Sequence, residues 1–154
     1  MRSTTFEVIG RVFGKARPRF TRDGHAFTPT STRVYERAVR QAYEAAGGEL
    51  LDGAVHIDIE AVAELQKSAT KKQKAARLQG DELAMTKPDI DNVCKLVLDA
   101  LNGVAYADDR CVVSVRLIKG RYETEPRLIV RVRELNQRDI MDAHSNLFSD
   151  GDSY

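Results

Sequence analysis

The sequence predicts one α/β (α+β) domain of two layers, a mixed sheet with helices on one face, and three observations carry that expectation. Val55, Ile57, Ile59 and Ala61 alternate with His56, Asp58 and Glu60, the period of a strand with one apolar and one polar face. From Asn92 the period changes: Val93, Leu96, Val97, Ala100 and Leu101 recur at i, i+3, i+4, i+7 and i+8, one apolar stripe along a helix. The whole chain reads strand, helix, strand, helix, helix, strand, strand, and its 154 residues suffice for one sizeable core.

Taken in order, Phe6 to Phe13 reads as a strand, and Gly14 to Phe20 leaves it as a basic loop that Pro18 keeps out of a helix. Arginines interleave there with Phe20 and Phe27. Guanidinium groups meeting phosphates and rings meeting exposed bases suit splayed nucleic acid; a solvated loop with aromatics covering the core edge is the plainer reading. Thr30, Ser31 and Thr32 offer N-caps for a helix to about Ala46, which Gly47 and Gly48 stop. His56, Asp58 and Glu60 are assigned to the polar face of their strand rather than to a ligand cluster. Lys67, Lys71, Lys72, Lys74 and Arg77 come without an acid in a helix-prone segment that ends near Gly80, a basic rod or a solvated face. Val112 to Ile118 and Leu128 to Val132 read as strands of an antiparallel hairpin closed at Glu125-Pro126. Residues 1–134 form the domain, and the Asp- and Ser-rich residues 135–154 are expected to be a disordered acidic tail.

Charge is distributed unevenly. Residues 135–154 hold Arg138 against Asp139, Asp142, Asp150 and Asp152, which leaves the body with 23 basic and 19 acidic residues. The excess lies mostly in residues 1–40, where phosphate contacts are expected. No apolar run approaches membrane-spanning length and no signal-peptide core opens the chain, so a cytoplasmic protein without a membrane partner is expected. Cys94 and Cys111 have no metal-ligand spacing and read as buried thiols, with no disulfide.

The densest chemistry lies in Lys87-Pro88-Asp89-Ile90-Asp91-Asn92-Val93-Cys94-Lys95 and in Asp108-Asp109. Asp89 and Asp91 lie two apart at a loop-to-helix junction that Pro88 defines, beside unpaired backbone N–H groups. Lys95 is one turn beyond Asp91 on the same face. The loop Gly103 to Arg110 is short enough to return Asp108 or Asp109 to the first pair, and three converging carboxylates favour a hard cation, Mg²⁺ or Mn²⁺, over zinc.

Pro88-Asp89-Ile90-Asp91-Asn92, then Lys95, then Asp99-Ala100-Leu101-Asn102-Gly103, then Asp108-Asp109-Arg110 resembles the RusA family of Holliday-junction resolvases of bacteria and their phages. The resemblance runs from Thr4 to Glu134 and is densest from Lys87 to Arg110. It implies a RusA-like fold, Asp89, Asp91 and Asp109 as essential metal-binding aspartates, Lys95 as an essential lysine, and Asp108 as their neighbour rather than a ligand. The implied activity is that of a crossover junction endodeoxyribonuclease, resolving four-way DNA by paired phosphodiester hydrolysis in recombination and repair. Lys15, Arg17, Arg19, Lys71, Lys72 and Lys87 are the expected DNA-binding residues. Since a junction needs two symmetry-related cuts and one chain has one acidic cluster, the expected working unit is a homodimer.

Spacing alone supplies only a carboxylate metal site with a lysine beside it, and so leaves open a metal-dependent phosphohydrolase acting on another substrate. A nucleophilic Asp-x-Asp phosphatase wants an apolar strand before its motif, which Met85-Thr86-Lys87-Pro88 is not, and a restriction-type nuclease wants Asp/Glu-x-Lys, which Asp109-Arg110-Cys111 does not supply. His25, His56 and His144 are too scattered for a zinc nuclease. A non-catalytic DNA-binding accessory protein, its aspartates merely capping a helix, is the remaining rival.

Overall fold

A computed structural model describes residues 2–148. The strands are β1 (Ser3–Ile9), β2 (Arg19–Phe20), β3 (Ala26–Phe27), β4 (Val55–Glu64), β5 (Val112–Glu123) and β6 (Arg127–Glu134). The helices are α1 (Thr30–Ala45), α2 (Lys71–Gln79), α3 (Ile90–Leu101) and α4 (Gln137–Phe148). Four strands form one mixed sheet in the order β1-β6-β4-β5, with β6 antiparallel to both neighbours and β5 parallel to β4. β2 and β3 form a separate small ribbon. The architecture is α+β, as the periodicity predicts.

β4 takes an interior place because its inward residues Val55, Ile57 and Ile59 and its outward polar ones match neighbours on both sides. That placement corrects one expectation. β5 and β6 are joined by only three residues, yet they do not pair as a hairpin; β4 lies between them and hydrogen-bonds to both. A short turn with a proline signals a reversal of direction, which occurs, but the partner is chosen by side-chain burial across the sheet. The first strand also starts earlier than predicted, at Ser3, and ends before the Gly10 turn.

The core lies on one face of the sheet. Phe6, Val55, Ile57, Ile59, Leu128, Val130 and Val132 meet Tyr35, Val39 and Tyr43 of α1 and Val93, Leu96, Val97, Ala100 and Leu101 of α3. Each large side chain buried there contributes about 1.5–3 kcal/mol, which is what fixes α3 against the sheet. Gly48 is required where the chain leaves α1, because a Cβ there would stand 2.4 Å from ring carbons of Tyr43. The Tyr43 hydroxyl donates to the Glu49 carbonyl at 2.6 Å, completing the turn. Cys94 and Cys111 are both free thiols, each partly buried.

The other face of the sheet is polar, and His56, Asp58 and Glu60 are spent there. His56 Nε2 lies 3.0 Å from Asp58 Oδ1, Arg116 and Arg131 reach Asp58 at 2.8 and 2.6 Å, and Arg121 reaches Glu60 at 2.9 Å. Burial raises the Asp58 carboxyl, but hydrogen bonds from His56 and Arg131 outweigh it and hold the group below its ordinary value. Arg121 does the same for Glu60 against a weaker burial effect. A carboxyl depressed in the folded state stabilises above its unfolded pKa, and that contribution is lost as pH falls through the folded value. Asp58→Asn should therefore lower stability at pH 7 and lower it by less at pH 3. Urea denaturation at the two pH values checks this, and an equal deficit at both would contradict it.

Part of the tail also differs from expectation. Gln137–Phe148 forms α4, with Asn136 and Asp139 exchanging backbone-to-side-chain bonds of 2.9 and 3.0 Å at its start. That start is a local capping signal which an Asp- and Ser-rich composition hides. Residues 149–154, the rest of the predicted tail, lie outside the described residues. Among the described residues no helix is long and apolar enough to cross a membrane.

Candidate active site

Asp89 is the N-cap of α3, with extended backbone (φ −69°, ψ 152°), and its side chain makes no capping hydrogen bond. Asp91 follows in the first turn. Both carboxylates therefore sit at the positive end of the helix dipole. The junction is packed closely from the strand side. Lys15 N–H donates to the Asn92 carbonyl at 2.8 Å. A Cβ on Gly14 would come within 2.8 Å of Pro88 Cβ and 2.9 Å of Asn92 Cβ. Gly14→Ala should thus push Pro88 and Asn92 outward and misplace both aspartates. A displacement of that kind costs on the order of 10²-fold in turnover. Cleavage rates of the folded variant, with its melting curve, check this; wild-type rates would show that the contact is slack.

Asp91, Lys95 and Asp99 follow at i, i+4 and i+8 along one flank of α3. Asp99 is engaged: its Oδ2 lies 3.1 Å from Lys15 Nζ, which also bonds Glu36 Oε1 at 2.5 Å. Burial lowers the Lys15 ammonium, but its bonds to Glu36 and Asp99 outweigh that and raise it. Lys15, expected on a DNA surface, is instead a partly buried strut between α1 and α3.

The loop after α3 turns back sharply. Gly103, at φ 78°, donates to the Tyr106 carbonyl at 2.8 Å, and the Tyr106 hydroxyl donates to the Leu98 carbonyl at 2.6 Å. This tight closure returns Asp109 to the last turn of α3, where Asn102 Nδ2 donates to Asp109 Oδ1 at 3.1 Å. Asp91 and Asn102 are eleven residues apart, about 16 Å of helical rise, so the expected convergence of Asp109 on Asp89 and Asp91 is not seen. Burial raises the Asp109 carboxyl, with Asp99 and Asp108 adding to the effect and Asn102 opposing it. Asp108 is occupied locally, accepting from the Arg110 backbone N–H at 2.9 Å and from Arg110 Nε at 3.0 Å, bonds that hold its carboxyl low.

Asp89, Asp91 and Lys95 are thereby set apart. Among the described residues, no hydrogen bond or ion pair engages any of their three side chains, while Asp99, Asp108 and Asp109 are all occupied. Nor, among the described residues, does any group of three His, Cys, Asp or Glu stand together to hold a metal ion. Two carboxylates nevertheless suit Mg²⁺, which is commonly held by one or two of them together with phosphate oxygens of a substrate. Asp89 and Asp91 fit that role as a pair.

The expected DNA contacts divide. Arg17 and Arg19 are exposed on the basic loop and its ribbon, beside Phe20, which is 71% exposed. Lys71 and Lys72 open α2 behind a Thr70–Gln73 capping box, with no acid in the first turn; cations at a helix start oppose its dipole. Lys87 is exposed and forms, with Arg11, Val12 and Pro88, a wall shared by a cavity of about 410 Å³ and a smaller cleft that reaches Asp89 and Asn92. Two residues beside this site carry no sequence signal: Gly14, whose need for space arises only across the fold, and Lys119, one of three cations on β5, whose ammonium reaches the loop before Asp89.

The family described as endodeoxyribonuclease RusA matches residues 10–133. The uncharacterized protein YqaN of Bacillus subtilis (strain 168) is 34% identical over 137 residues, covering 85% of this chain and 96% of that protein. The matched span runs from the turn after β1 to the end of β6 and contains the Asp89–Asp91–Lys95 constellation and Asp109; the chain belongs to the RusA endodeoxyribonuclease family.

Proposed function

We propose that the protein is a Mg²⁺-dependent crossover junction endodeoxyribonuclease, hydrolysing paired phosphodiester bonds of four-way DNA with Asp89 and Asp91 as the metal-holding pair. The observation that carries this reading is the unspent charge along the first half of α3: two carboxylates and an ammonium whose side chains, among the described residues, have no hydrogen-bond or ion-pair partner, while Asp99 and Asp108 nearby are paired. A hard cation held by one or two carboxylates together with phosphate oxygens of a substrate would use these free charges. A bound Mg²⁺ would lower the pKa of an attacking water and polarise the scissile phosphate. Lys95 stabilises charge that develops on the phosphoryl or leaving oxygen, and Asp109 is the third essential acid. Arg17, Arg19, Lys71, Lys72 and Lys87 contact phosphates, and the exposed ring of Phe20 meets an unstacked base at the branch point.

The working unit is a homodimer, since one acidic cluster per chain cuts one strand and resolution requires two cuts. Mixing wild type with Asp91→Asn should yield heterodimers that nick one strand of a synthetic junction without resolving it. A monomer in sedimentation that resolves junctions unaided would contradict the dimer. A non-catalytic accessory protein would leave every junction intact.

A further inference from the structure

The segment that delivers Asp89 to the site has no regular structure of its own. It crosses from α2 to α3 in the open, with Met85 88% exposed. Among the described residues, three hydrogen bonds tie its second half, residues 84–88, to the far half of β5. Ala84 N–H donates to the Gly120 carbonyl at 2.8 Å, and Lys119 Nζ donates to the Thr86 carbonyl at 2.8 Å and the Pro88 carbonyl at 3.0 Å. The two carbonyls flank Lys87, and the residue after Pro88 is Asp89.

Lys119 is itself held in place. In the register of the sheet it lies beside Ala61, just before the irregularity between Ala61 and Ala63. Lys119 lines the same cavity as Arg11 and Lys87. Glu64 lines that cavity too, but the bonds the Lys119 ammonium makes are to the two carbonyl dipoles of the loop. Lys119 is thus committed to the loop rather than held out to solvent as Lys87 is. Pro88 is gripped from two sides, by this ammonium and by the close approach of Gly14.

We propose that Lys119 is a positioning residue for the Asp89–Asp91 pair: by pinning the carbonyls of Thr86 and Pro88 to β5 it fixes where α3 begins and how the two carboxylates face each other. It touches neither metal nor substrate. The proposal rests on the reading of Asp89 and Asp91 as the metal-holding pair. Its physical basis is that a carboxylate pair binds a small hard cation well only when held in one geometry.

Three readouts on the full chain test it, using Lys119→Met, which keeps length and loses the donors, and Lys119→Arg, which restores donors to both carbonyls. In Lys119→Met, amide hydrogen exchange across residues 84–92 should quicken by about tenfold, a local opening without global unfolding. The Mn²⁺ concentration that half-saturates the free protein, followed by electron paramagnetic resonance, should rise about tenfold as well. The melting temperature should move little. Lys119→Arg should recover both readouts to near wild type, which a purely structural loss elsewhere would not explain. Unchanged exchange in Lys119→Met overturns the tether. Faster exchange with unchanged Mn²⁺ affinity overturns the positioning role, as does a lowered melting temperature with both other readouts intact. If wild type binds no Mn²⁺ and cuts no junction, the metal reading fails on its own account, and the positioning role falls with it even where the exchange arm confirms the tether.

Discussion

Asp91→Asn should lower the rate of junction cleavage by about 10³-fold or more, with the fold intact and junction affinity kept or increased. The carboxylate stands exposed in the first turn of α3 and supports no packing, so its loss removes charge and little else. Neutralising it also removes repulsion toward the phosphates, which is why binding is expected to survive. Asp89→Asn should behave alike, and the double variant should be hardly worse than either, because the two groups serve one cation and neither is useful alone. Asp109→Asn should lose cleavage too, and the partial desolvation and flanking acids that raise its carboxyl make it the one of the three whose removal can raise stability. Single-turnover cleavage, anisotropy of a labelled junction and circular dichroism separate these effects. Wild-type cleavage by Asp91→Asn would remove the site assignment.

Lys95→Met should reduce turnover by about 10²-fold or more while leaving the junction dissociation constant nearly unchanged, as expected for a charge whose partner forms only in the transition state. The side chain is exposed and unpaired among the described residues, one turn from Asp91 and one from Asp99. Had it served the fold, it would be paired in the free protein as Lys15 is with Glu36 and Asp99. A variant that cuts normally but melts earlier would assign Lys95 to stability instead. A rise in the dissociation constant matching the loss of rate would make it a phosphate contact.

What could be read along the chain was local. The alternation from Val55 to Ala61 and the stripe from Val93 to Leu101 are set by the side-chain periods of strand and helix, and both elements form where those periods place them. The start of α3 was equally legible, because a proline, an extended N-cap and two acids act within a few residues. What escaped depends on distant parts of the chain meeting. A three-residue turn gives no sign that β4 will lie between β5 and β6. The charge of Lys15 looks like its neighbours' charges until Glu36 and Asp99 close around it. The return of Asp109 to Asn102 rather than to Asp91 is set by the Tyr106 turn, whose two hydrogen bonds no spacing rule specifies. Gly14 and Lys119 matter only because β5 and the strand-to-loop exit bracket Pro88.

The most direct measurement is a Mg²⁺ titration of cleavage on a synthetic four-way junction, with the linear duplex of the same sequence alongside and the cut positions mapped on all strands. Wild type should produce paired, symmetry-related nicks in the junction that require Mg²⁺ and vanish with EDTA, and should leave the duplex intact. Cleavage that persists in EDTA, or a junction untouched at every Mg²⁺ concentration by protein that binds it, would contradict the account.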